Sequence, residues 1–509
     1  MLKTKLSSEW IYKFYKEQEK YGIENHGLII EQGGEILYEE YAYPYSADMP
    51  HTLFSVTKSV VSTAAGFAVD EGLVSLDSKI LPLFPEYKAC ESSEWDNLTL
   101  RSVLTMSSNK EFSFLQDMTG DYVEMFMKAP FRKDKGFLYS NNDAHMVAAI
   151  IQKLSGMSLV EYLTPRLFEP LGIEIPQWET DKKGDCIGGT GAYLKLRDLV
   201  KIMRCYADGG KHNGVQIIPG WWTEEATKRQ VILDGRDDED GYGFLFWTQN
   251  GVVSMNGMYG QQISYFPESD AIIAAFNCVV KDKPNNYLIK NVLPKAFEGE
   301  STTEWDEKLA EYLESRGEKP VACSEKLNIP TGKTYKLTMF SDITAKIMFP
   351  ASLIPRSLSS SFAQRPDKNM DNVSFELCED VLIINWEEEG DKVTVRCGLD
   401  GNPRMSECSI KGYKYKVWAY AYAENGKIKA VVKPLNTLAT QRISIEFAGN
   451  TVKMQFNDTP SFTEFILHNA GQSTFVSGSG KFRPVVDKTI ELFMKTTGTP
   501  MKFKMKQNI

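Results

Sequence analysis

The stretch SVTKSVVSTAAGFAVDEGL, residues 55–73, is the segment of this 509-residue chain that decides the fold. It is too long for a strand and it closes at Glu71-Gly72, so it predicts a helix. Ser55 and Lys58 are three positions apart, and they share one face of that helix if it begins near Ser55. The run of small and branched apolar residues after Lys58 indicates that the helix is buried.

This spacing suits nucleophilic catalysis. A serine hydroxyl needs a base within hydrogen-bond reach, and a lysine becomes one when its pKa falls below about 10.4. Burial would desolvate Lys58, and the helix N-terminus would leave backbone N–H groups near Ser55. The alternative is a capping serine beside a lysine that extends along the surface. A second match, Ser107 with Lys110, has no apolar helix to bury its lysine, and we interpret it as a loop or helix end.

A second motif lies in GFLYSNNDAHM, residues 136–146, before a predicted helix that begins near Asn142. Tyr139 can accept a serine proton when a nearby lysine stabilises its phenolate, and Asn141 can hold both the lysine and a substrate carbonyl or amide. The alternative is a turn capped by Asn141 or Asn142 with an ordinary half-buried tyrosine.

Periodicity predicts an α+β fold. Residues 27–42 read as a hairpin around Gly-Gly, and three more strands are expected between residues 241 and 280. Further helices are expected over residues 141–155, 158–168, 196–208 and 302–317. This order indicates an antiparallel sheet flanked by helices, with a mostly helical subdomain.

The pattern changes in the second half of the chain. Residues 330 to about 460 alternate with a period of two and read as an antiparallel β-rich module, and residues 484–509 add a short helix and a last strand. We therefore predict three parts: a domain over residues 1–300, a helix and linker over 301–329, and a β-rich domain of unknown role over 330–509.

Taken together, these residues resemble the serine β-lactamase and penicillin-binding protein superfamily. The resemblance is to its class C-like branch, which includes family VIII carboxylesterases and 6-aminohexanoate-dimer hydrolases. The similar segments are residues 53–77, 98–109, 137–173, 188–219 and 241–247. The resemblance implies that Ser55 is the nucleophile, that Lys58 and Tyr139 form the base system, and that Asn141 positions substrate.

The third motif of that superfamily is altered here. The superfamily usually has K-T-G or H-x-G in this motif. The matching stretch here, SMNGMYGQQ, has Met255-Asn256-Gly257 at those three positions. The missing cation weakens a role with penicillins or D-Ala termini, whose carboxylate it binds. Gly257 would let a substrate backbone lie close, and the N–H groups of Met258 and Ser55 would form an oxyanion hole. We also expect Tyr259 and Gln261 either to replace the contact that the missing cation would make with substrate or simply to pack in the core.

Composition excludes several classes of partner. A formal net charge of −9 and a pI near 5.4 argue against nucleic acid and anionic membranes. We expect no signal peptide and no membrane span, and so a cytoplasmic protein. The eight scattered cysteines are expected to be buried free thiols, with no metal site and no other cofactor. Homo-oligomerisation stays open.

The sequence therefore predicts a serine hydrolase that forms an acyl-enzyme on a small ester or amide. Two alternatives stay open: β-lactamase or D-Ala-D-Ala-type peptidase activity, and a ligand-binding protein without catalysis on the same scaffold. A Ser-His-Asp triad is a weaker hypothesis, because no histidine is paired in sequence with a suitable acid. The GGTG stretch at residues 188–191 lacks dinucleotide-binding spacing. Trp221-Trp222 is expected in a core or interface.

Overall fold

The structure is a computed structural model of the chain. It describes residues 6–112, 121–233, 239–279, 282–339, 352–354, 370–461 and 501–505. The chain divides into two compact units, the first ending at Arg316 and the second beginning at Gly317.

The first unit contains all the α-helices assigned within the described ranges. They are α1 (Ser8–Lys20), α2 (Thr57–Asp70), α3 (Ile80–Leu83), α4 (Leu100–Leu104), α5 (Tyr122–Lys128), α6 (Asn141–Ser155), α7 (Leu159–Leu163), α8 (Leu196–Ala207), α9 (Gly220–Thr227), α10 (Asp282–Tyr287) and α11 (Thr303–Ser315). Single π-turns follow α7 and α10, over Thr164–Phe168 and Leu288–Val292.

The same unit contains thirteen strands in the described ranges. They are β1 (Glu24–Gln32), β2 (Glu35–Tyr41), β3 (His51–Thr52), β4 (Gln177–Trp178), β5 (Ala192–Leu194), β6 (Lys211–His212), β7 (Val215–Gln216), β8 (Val231–Ile232), β9 (Gly241–Tyr242), β10 (Trp247–Gln249), β11 (Val252–Gly257), β12 (Gln261–Phe266) and β13 (Ala271–Cys278). The main sheet has eight of them in the order β2-β1-β13-β12-β11-β10-β9-β8, and its pairs are antiparallel.

The two faces of this sheet are covered by different helices. Alternate residues of β1 show this: Ile29 packs in a core with α2, α6 and α8, while Leu28 and Ile30 pack in a second core with α1 and α11. The predicted hairpin is confirmed, and Gly33 and Gly34 form its turn with positive φ angles of 59° and 89°. The antiparallel sheet flanked by helices is therefore as expected.

The fold-deciding helix α2 lies in the middle of the larger core. Residues 57–68 are all buried, in agreement with the predicted buried helix. Gly66 matters for this packing, because a Cβ there would lie 2.5 Å from Cγ of the indole of Trp222. Trp222 is fully buried against the helix, whereas its neighbour Trp221 is partly exposed and donates to Asp70 Oδ1 at 2.8 Å.

Most predicted element boundaries agree with the structure. Helix α6 has the predicted range of residues 141–155, although its cap is Ser140 and neither of the asparagines considered for that role. The strand expected over residues 241–249 is two short strands, β9 and β10, because Leu245 between them has a left-handed φ of 63°.

The second unit is an antiparallel β structure, as predicted. Its strands are β14 (Thr334–Leu337), β15 (Asp371–Cys378), β16 (Val381–Glu388), β17 (Asp391–Gly398), β18 (Arg404–Ile410), β19 (Tyr413–Glu424), β20 (Lys427–Pro434), β21 (Thr440–Ala448), β22 (Thr451–Thr459) and β23 (Met501–Met505). They form one sheet in the order β17-β16-β15-β14-β23-β22-β21-β20-β19-β18, and a bridge between Gly398 and Tyr420 closes it. The predicted last strand is β23; the short helix expected before it lies outside the described residues.

The described ranges were also compared with the requirements of membrane-spanning helices and metal sites. No single helix there has the length and apolar composition for a membrane span, although the bent pair Asn141–Ser155 and Leu159–Phe168 meets both criteria together. No cluster of three or more His, Cys, Asp or Glu side chains in those ranges is placed to hold a metal ion. The eight cysteines, all described, are free thiols, and Cys378 is exposed, which corrects the expectation that all are buried.

Candidate active site

Ser55 lies in a tight turn at the entrance of α2. Residues Phe54–Val56 form a single 3-10 turn, and the α-helix begins at Thr57. Phe54 has a left-handed φ of 47°, which costs free energy for a residue with a Cβ and is held by surrounding packing. Its buried ring packs edge-on against Tyr259, with centroids 5.5 Å apart. Ser55 is half-buried between two buried neighbours, so this residue of the turn stays partly accessible to solvent.

Lys58 is the buried centre of the site. Its Nζ lies 2.8 Å from Ser55 Oγ, 2.7 Å from Asn141 Oδ1 and 2.7 Å from the carbonyl oxygen of Gly189. Burial lowers the pKa of Lys58 well below its ordinary value, because an ammonium loses its hydration there. The predicted contact between Ser55 and Lys58 is present.

The partners of Lys58 fix the direction of its lone pair. A carbonyl oxygen and an amide Oδ1 can only accept, so Nζ must donate one N–H to Gly189 and one to Asn141. A neutral amine has two N–H groups and one lone pair. The remaining direction points to Ser55 Oγ, and the neutral form of Lys58 can accept the proton of Ser55 there.

Asn141 is placed by the start of α6. Ser140 caps that helix by accepting from the N–H groups of Asn142 and Asp143 at 3.1 and 3.3 Å. Asn141 is therefore the first helical residue, and its side chain reaches across to Lys58.

Gly188 and Gly189 belong to the segment 188–219 that resembles the superfamily, but their part in the site was not predicted. A Cβ on Gly188 would lie 2.5 Å from the carbonyl oxygen of Ala144, and one on Gly189 would lie 2.8 Å from that of Asn141. Both glycines let this loop lie directly on α6, which brings the Gly189 carbonyl to Lys58. The pair of adjacent glycines was the feature of the sequence that could have predicted this close contact between two backbone segments.

Tyr139 lies beside Lys58. The ammonium is 4.8 Å from the centroid of the half-buried phenol ring. The ring stacks on Trp247 with centroids 5.1 Å apart and an interplanar angle of 28°. The three predicted catalytic residues, Ser55, Lys58 and Tyr139, therefore come together at one place, with Asn141 beside them.

Gly257 lets the end of β11 lie against the 3-10 turn Phe54–Val56. A Cβ at this position would lie 2.5 Å from the carbonyl oxygen of Leu53 and 3.3 Å from Cγ2 of Val56. Only glycine allows this approach without a shift of backbone. Met258, half-buried, begins the 3-10 turn that follows, so its N–H lies one residue beyond the contact.

Met255, which the resemblance assigns to the first position of the third motif, is a core side chain. Met255 is fully buried among the residues of the α2 core. Its neighbour Asn256 is half-buried and donates through Nδ2 to Glu239 Oε1 at 2.8 Å. Glu239 also accepts from Lys290 at 3.0 Å, and both side chains are nearly fully buried. The carboxylate of Glu239 therefore offsets the charge of this lysine.

Tyr259 is the middle residue of the turn after β11, and Gln261 follows that turn at the start of β12. Both are fully buried, and Tyr259 has a left-handed φ of 63°. Gln261 Nε2 donates to the carbonyl oxygen of Asn277 at 2.6 Å and to that of Tyr259 at 3.3 Å. These contacts support the turn. Their predicted role in binding substrate stays a prediction, as does that of Met258.

The second serine–lysine pair lies outside helix, since α4 ends at Leu104, in agreement with its interpretation as a loop or helix end. Lys110 is nevertheless buried: its ammonium lies 3.9 Å from the Trp95 ring centroid and 3.8 Å from that of Phe131, and it donates to the carbonyl oxygen of Ala129 at 2.9 Å. The rings come from segments on both sides of the lysine, and no helix is needed to bury it. Ser107 Oγ instead contacts Thr105 Oγ1 at 2.7 Å.

His145 packs close to the site. His145 is buried and its Nδ1 accepts from the N–H of Gly188 at 3.3 Å, while Nε2 lies 4.0 Å from Asp181 Oδ2. Burial lowers the pKa of His145 to about 4, so its ring is neutral at pH 7. This histidine supports the glycine loop, and the side chain that contacts Ser55 Oγ is Lys58.

Comparison with known proteins agrees with this architecture. The family model described as Beta-lactamase matches residues 13–293, more than half of the chain. This chain belongs to the Beta-lactamase family. As a family member it shares the fold with the structure of a protein described as a β-lactamase from Bacteroides dorei DSM 17855, at a TM-score of 0.50 and 14% identity, over 58% of this chain and 98% of that one.

Relatives within the Beta-lactamase family include hydrolases of amides and esters by name. The 6-aminohexanoate-dimer hydrolase of Paenarthrobacter ureafaciens is 24% identical over 279 residues, covering 48% of this chain and 70% of that protein. Lovastatin esterase of Penicillium rubens is 26% identical over 164 residues, covering 26% of this chain and 41% of that protein. The chain is thus a β-lactamase-fold protein related to amide hydrolases, esterases and penicillin-binding proteins.

Proposed function

We propose that this family member is a serine hydrolase that forms an acyl-enzyme at Ser55 with a small ester or amide. One observation carries the proposal. Lys58 is buried, both N–H groups of its neutral amine are held by acceptors, and its third direction faces Ser55 Oγ at 2.8 Å. A lysine used only for packing would not need this arrangement.

The proposed reaction has two halves. Ser55 Oγ attacks the carbonyl carbon while Lys58 takes its proton, and the N–H groups of Ser55 and Met258 stabilise the oxyanion. Tyr139 gives a proton to the leaving oxygen or nitrogen as its bond to carbon breaks, and Lys58 restores the proton of Tyr139. Water then attacks the ester of Ser55, and the same groups return its hydroxyl proton.

We propose neutral substrates for this site. Fully buried Met255 stands where relatives have a cation, and the Lys290 charge is offset by Glu239. A substrate carboxylate would therefore find no free counter-charge among Met255, Glu239 and Lys290. The name of the second curated relative, lovastatin esterase, is compatible with a small ester.

The test compares wild type with Ser55→Ala, using hydrolysis of p-nitrophenyl butyrate and the mass of the protein after exposure to a serine-reactive phosphonate. We expect one phosphonate adduct on Ser55 of wild type and loss of both signals in S55A. Ser107→Ala is the matched control, since Ser107 lies in the second serine–lysine pair and contacts Thr105.

Other outcomes would identify the alternatives. Equal hydrolysis by S55A and wild type would contradict the proposal. An inert wild type without an adduct would favour a ligand-binding protein, and a covalent adduct of labelled penicillin at Ser55 would favour β-lactamase or peptidase chemistry.

A further inference from the structure

Tyr139 lies in a part of the chain where regular backbone does not orient its side chain. It stands between the end of α5 at Lys128 and the start of α6 at Asn141, outside helix and strand. The ring must therefore be oriented by its contacts. A phenol that transfers a proton needs its hydroxyl in a defined position, because a misplacement of about 1 Å can cost about 100-fold in rate.

The contact with Lys58 cannot hold this ring throughout the reaction. An ammonium 4.8 Å from the ring centroid attracts the aromatic face electrostatically. That attraction requires the charged lysine, whereas Lys58 must be neutral to accept the proton of Ser55. The ring therefore needs a second contact that does not depend on the lysine charge.

Trp247 supplies a contact of that kind. Its indole stacks on Tyr139 at 5.1 Å and 28°, and β10 is fixed in the sheet because Trp247 pairs with Tyr242 on one side and Ser254 on the other. Two further rings brace the indole: Tyr242 packs edge-on against it at 4.8 Å, and Phe137 does so at 6.0 Å. Both Trp247 and Tyr242 are buried, so the stack rests on rigid structure.

We infer that Trp247 is a positioning residue that holds the Tyr139 phenol in the orientation for proton transfer to the leaving group. The inference rests on the proposed hydrolase function. It assigns a role to a residue of β10 that contacts Tyr139 and lies outside the serine–lysine, tyrosine–asparagine and glycine motifs.

The experiment uses two esters that differ in their need for a proton donor. The p-nitrophenolate of p-nitrophenyl butyrate leaves as a stable anion, whereas the ethoxide of ethyl butyrate must be protonated as it leaves. For Trp247→Ala we expect kcat/KM, which reports the acylation step in which the two leaving groups differ, to fall about 10- to 100-fold on ethyl butyrate, a larger loss than on p-nitrophenyl butyrate. For Trp247→Phe, which keeps a stacking ring, we expect kcat/KM near wild type on both esters.

Two controls separate positioning from folding. Trp221→Ala removes a partly exposed tryptophan that contacts Asp70, and it should leave kcat/KM unchanged on both esters. Melting temperatures of all variants show whether W247A is folded, and rescue by W247F distinguishes the ring contact from the rest of the side chain. Equal losses on the two esters, or no loss in W247A, would overturn the inference.

A crystallographic readout does not require turnover. In W247A we expect the Tyr139 ring to leave its position beside Lys58, and in W247F we expect it to stay. An unmoved ring in W247A overturns the inference even if wild type proves inert toward esters. Conversely, an inert wild type with a displaced ring in W247A would contradict the hydrolase proposal while supporting the orienting contact.

Discussion

The backbone carbonyl of Gly189 accepts a hydrogen bond from Lys58 Nζ at 2.7 Å. These residues are 131 positions apart in the chain, and the contact occupies one of the two N–H groups of the neutral lysine. Because the acceptor is a backbone atom of another segment, substitutions in α2 do not remove it. Its position depends on how closely the glycine loop lies on α6.

We therefore predict that Gly189→Ala impairs Ser55 without removing any catalytic side chain. The added Cβ would lie 2.8 Å from the Asn141 carbonyl oxygen and 2.9 Å from the Asn141 Cβ, so the loop must move away from α6. Loss of the Gly189 acceptor should slow phosphonate labelling of Ser55 by about tenfold or more. Labelling rates followed by mass spectrometry provide the measurement.

Gly220→Ala is the matched control for this substitution. Gly220 is the first residue of α9, and its Cβ would meet nothing closer than the Gly209 carbonyl oxygen at 3.3 Å. It should label at the wild-type rate. If G189A labelled as fast as G220A, the loop contact would have no part in activating Ser55.

Lys58→Arg tests whether Lys58 acts as a base. Arginine keeps hydrogen-bond donors and charge, but it does not lose its proton in proteins. Labelling of Ser55 should therefore fall at least about 100-fold in K58R. Because burial lowers the pKa of Lys58, the neutral amine forms at lower pH than in an ordinary lysine.

The pH dependence of wild type gives the second half of this test. Its labelling rate should rise with pH through the lowered pKa of Lys58 and then level off, since only the deprotonated amine accepts the serine proton. Measurement from pH 5 to 10 shows this limb. An unchanged rate in K58R would exclude Lys58 as the base.

Gly66→Ala tests the packing of the fold-deciding helix. In most helix interiors this change stabilises by about 1 kcal/mol. Here the new Cβ would lie 2.5 Å from the buried Trp222 ring, and overpacking of that kind costs about 1–3 kcal/mol. We expect a lower free energy of unfolding in urea. The double variant with Trp222→Leu should lose less than the sum of the two single losses, because the smaller side chain makes room.

The sequence predicted what depends on local pattern. Helix α6 was placed over its full range because its apolar period and the glycine after Ser155 mark both ends, and the Ser55–Lys58 contact follows from their spacing. What it could not predict came from distant segments. The acceptor at Gly189 is a backbone atom without a side-chain signature, and its position is set by tertiary packing.

Burial of Lys110 shows the same limit. The expectation considered only the residues around it, which form no apolar helix. The rings that surround it belong to Trp95, before it in the chain, and to Phe126 and Phe131, after it. The spacing of apolar residues along the chain predicts which face of one helix or strand is buried. It does not predict a pocket whose rings come from three separate segments.

Asp143 provides a prediction about stability and pH. It is fully buried, it accepts from Ser108 Oγ at 2.8 Å, and burial raises its pKa to about 7 from an ordinary value of 3.8. The folded state therefore keeps a proton that the unfolded state loses above pH 3.8. This contribution to the free energy of unfolding is full below that pH and is lost as pH rises through about 7.

Asp143→Asn should remove that dependence. Between pH 5 and 8 the variant should gain stability relative to wild type by up to about 3 kcal/mol, because the raised pKa of about 7 lies about two pH units above pH 5. Asp77→Asn, at a largely exposed carboxylate, is the control and should follow wild type. Urea unfolding at pH 5, 6.5 and 8 measures all three proteins. A constant difference between D143N and wild type across this range would show that Asp143 does not titrate there, since linkage requires the difference to change wherever one state binds more protons than the other.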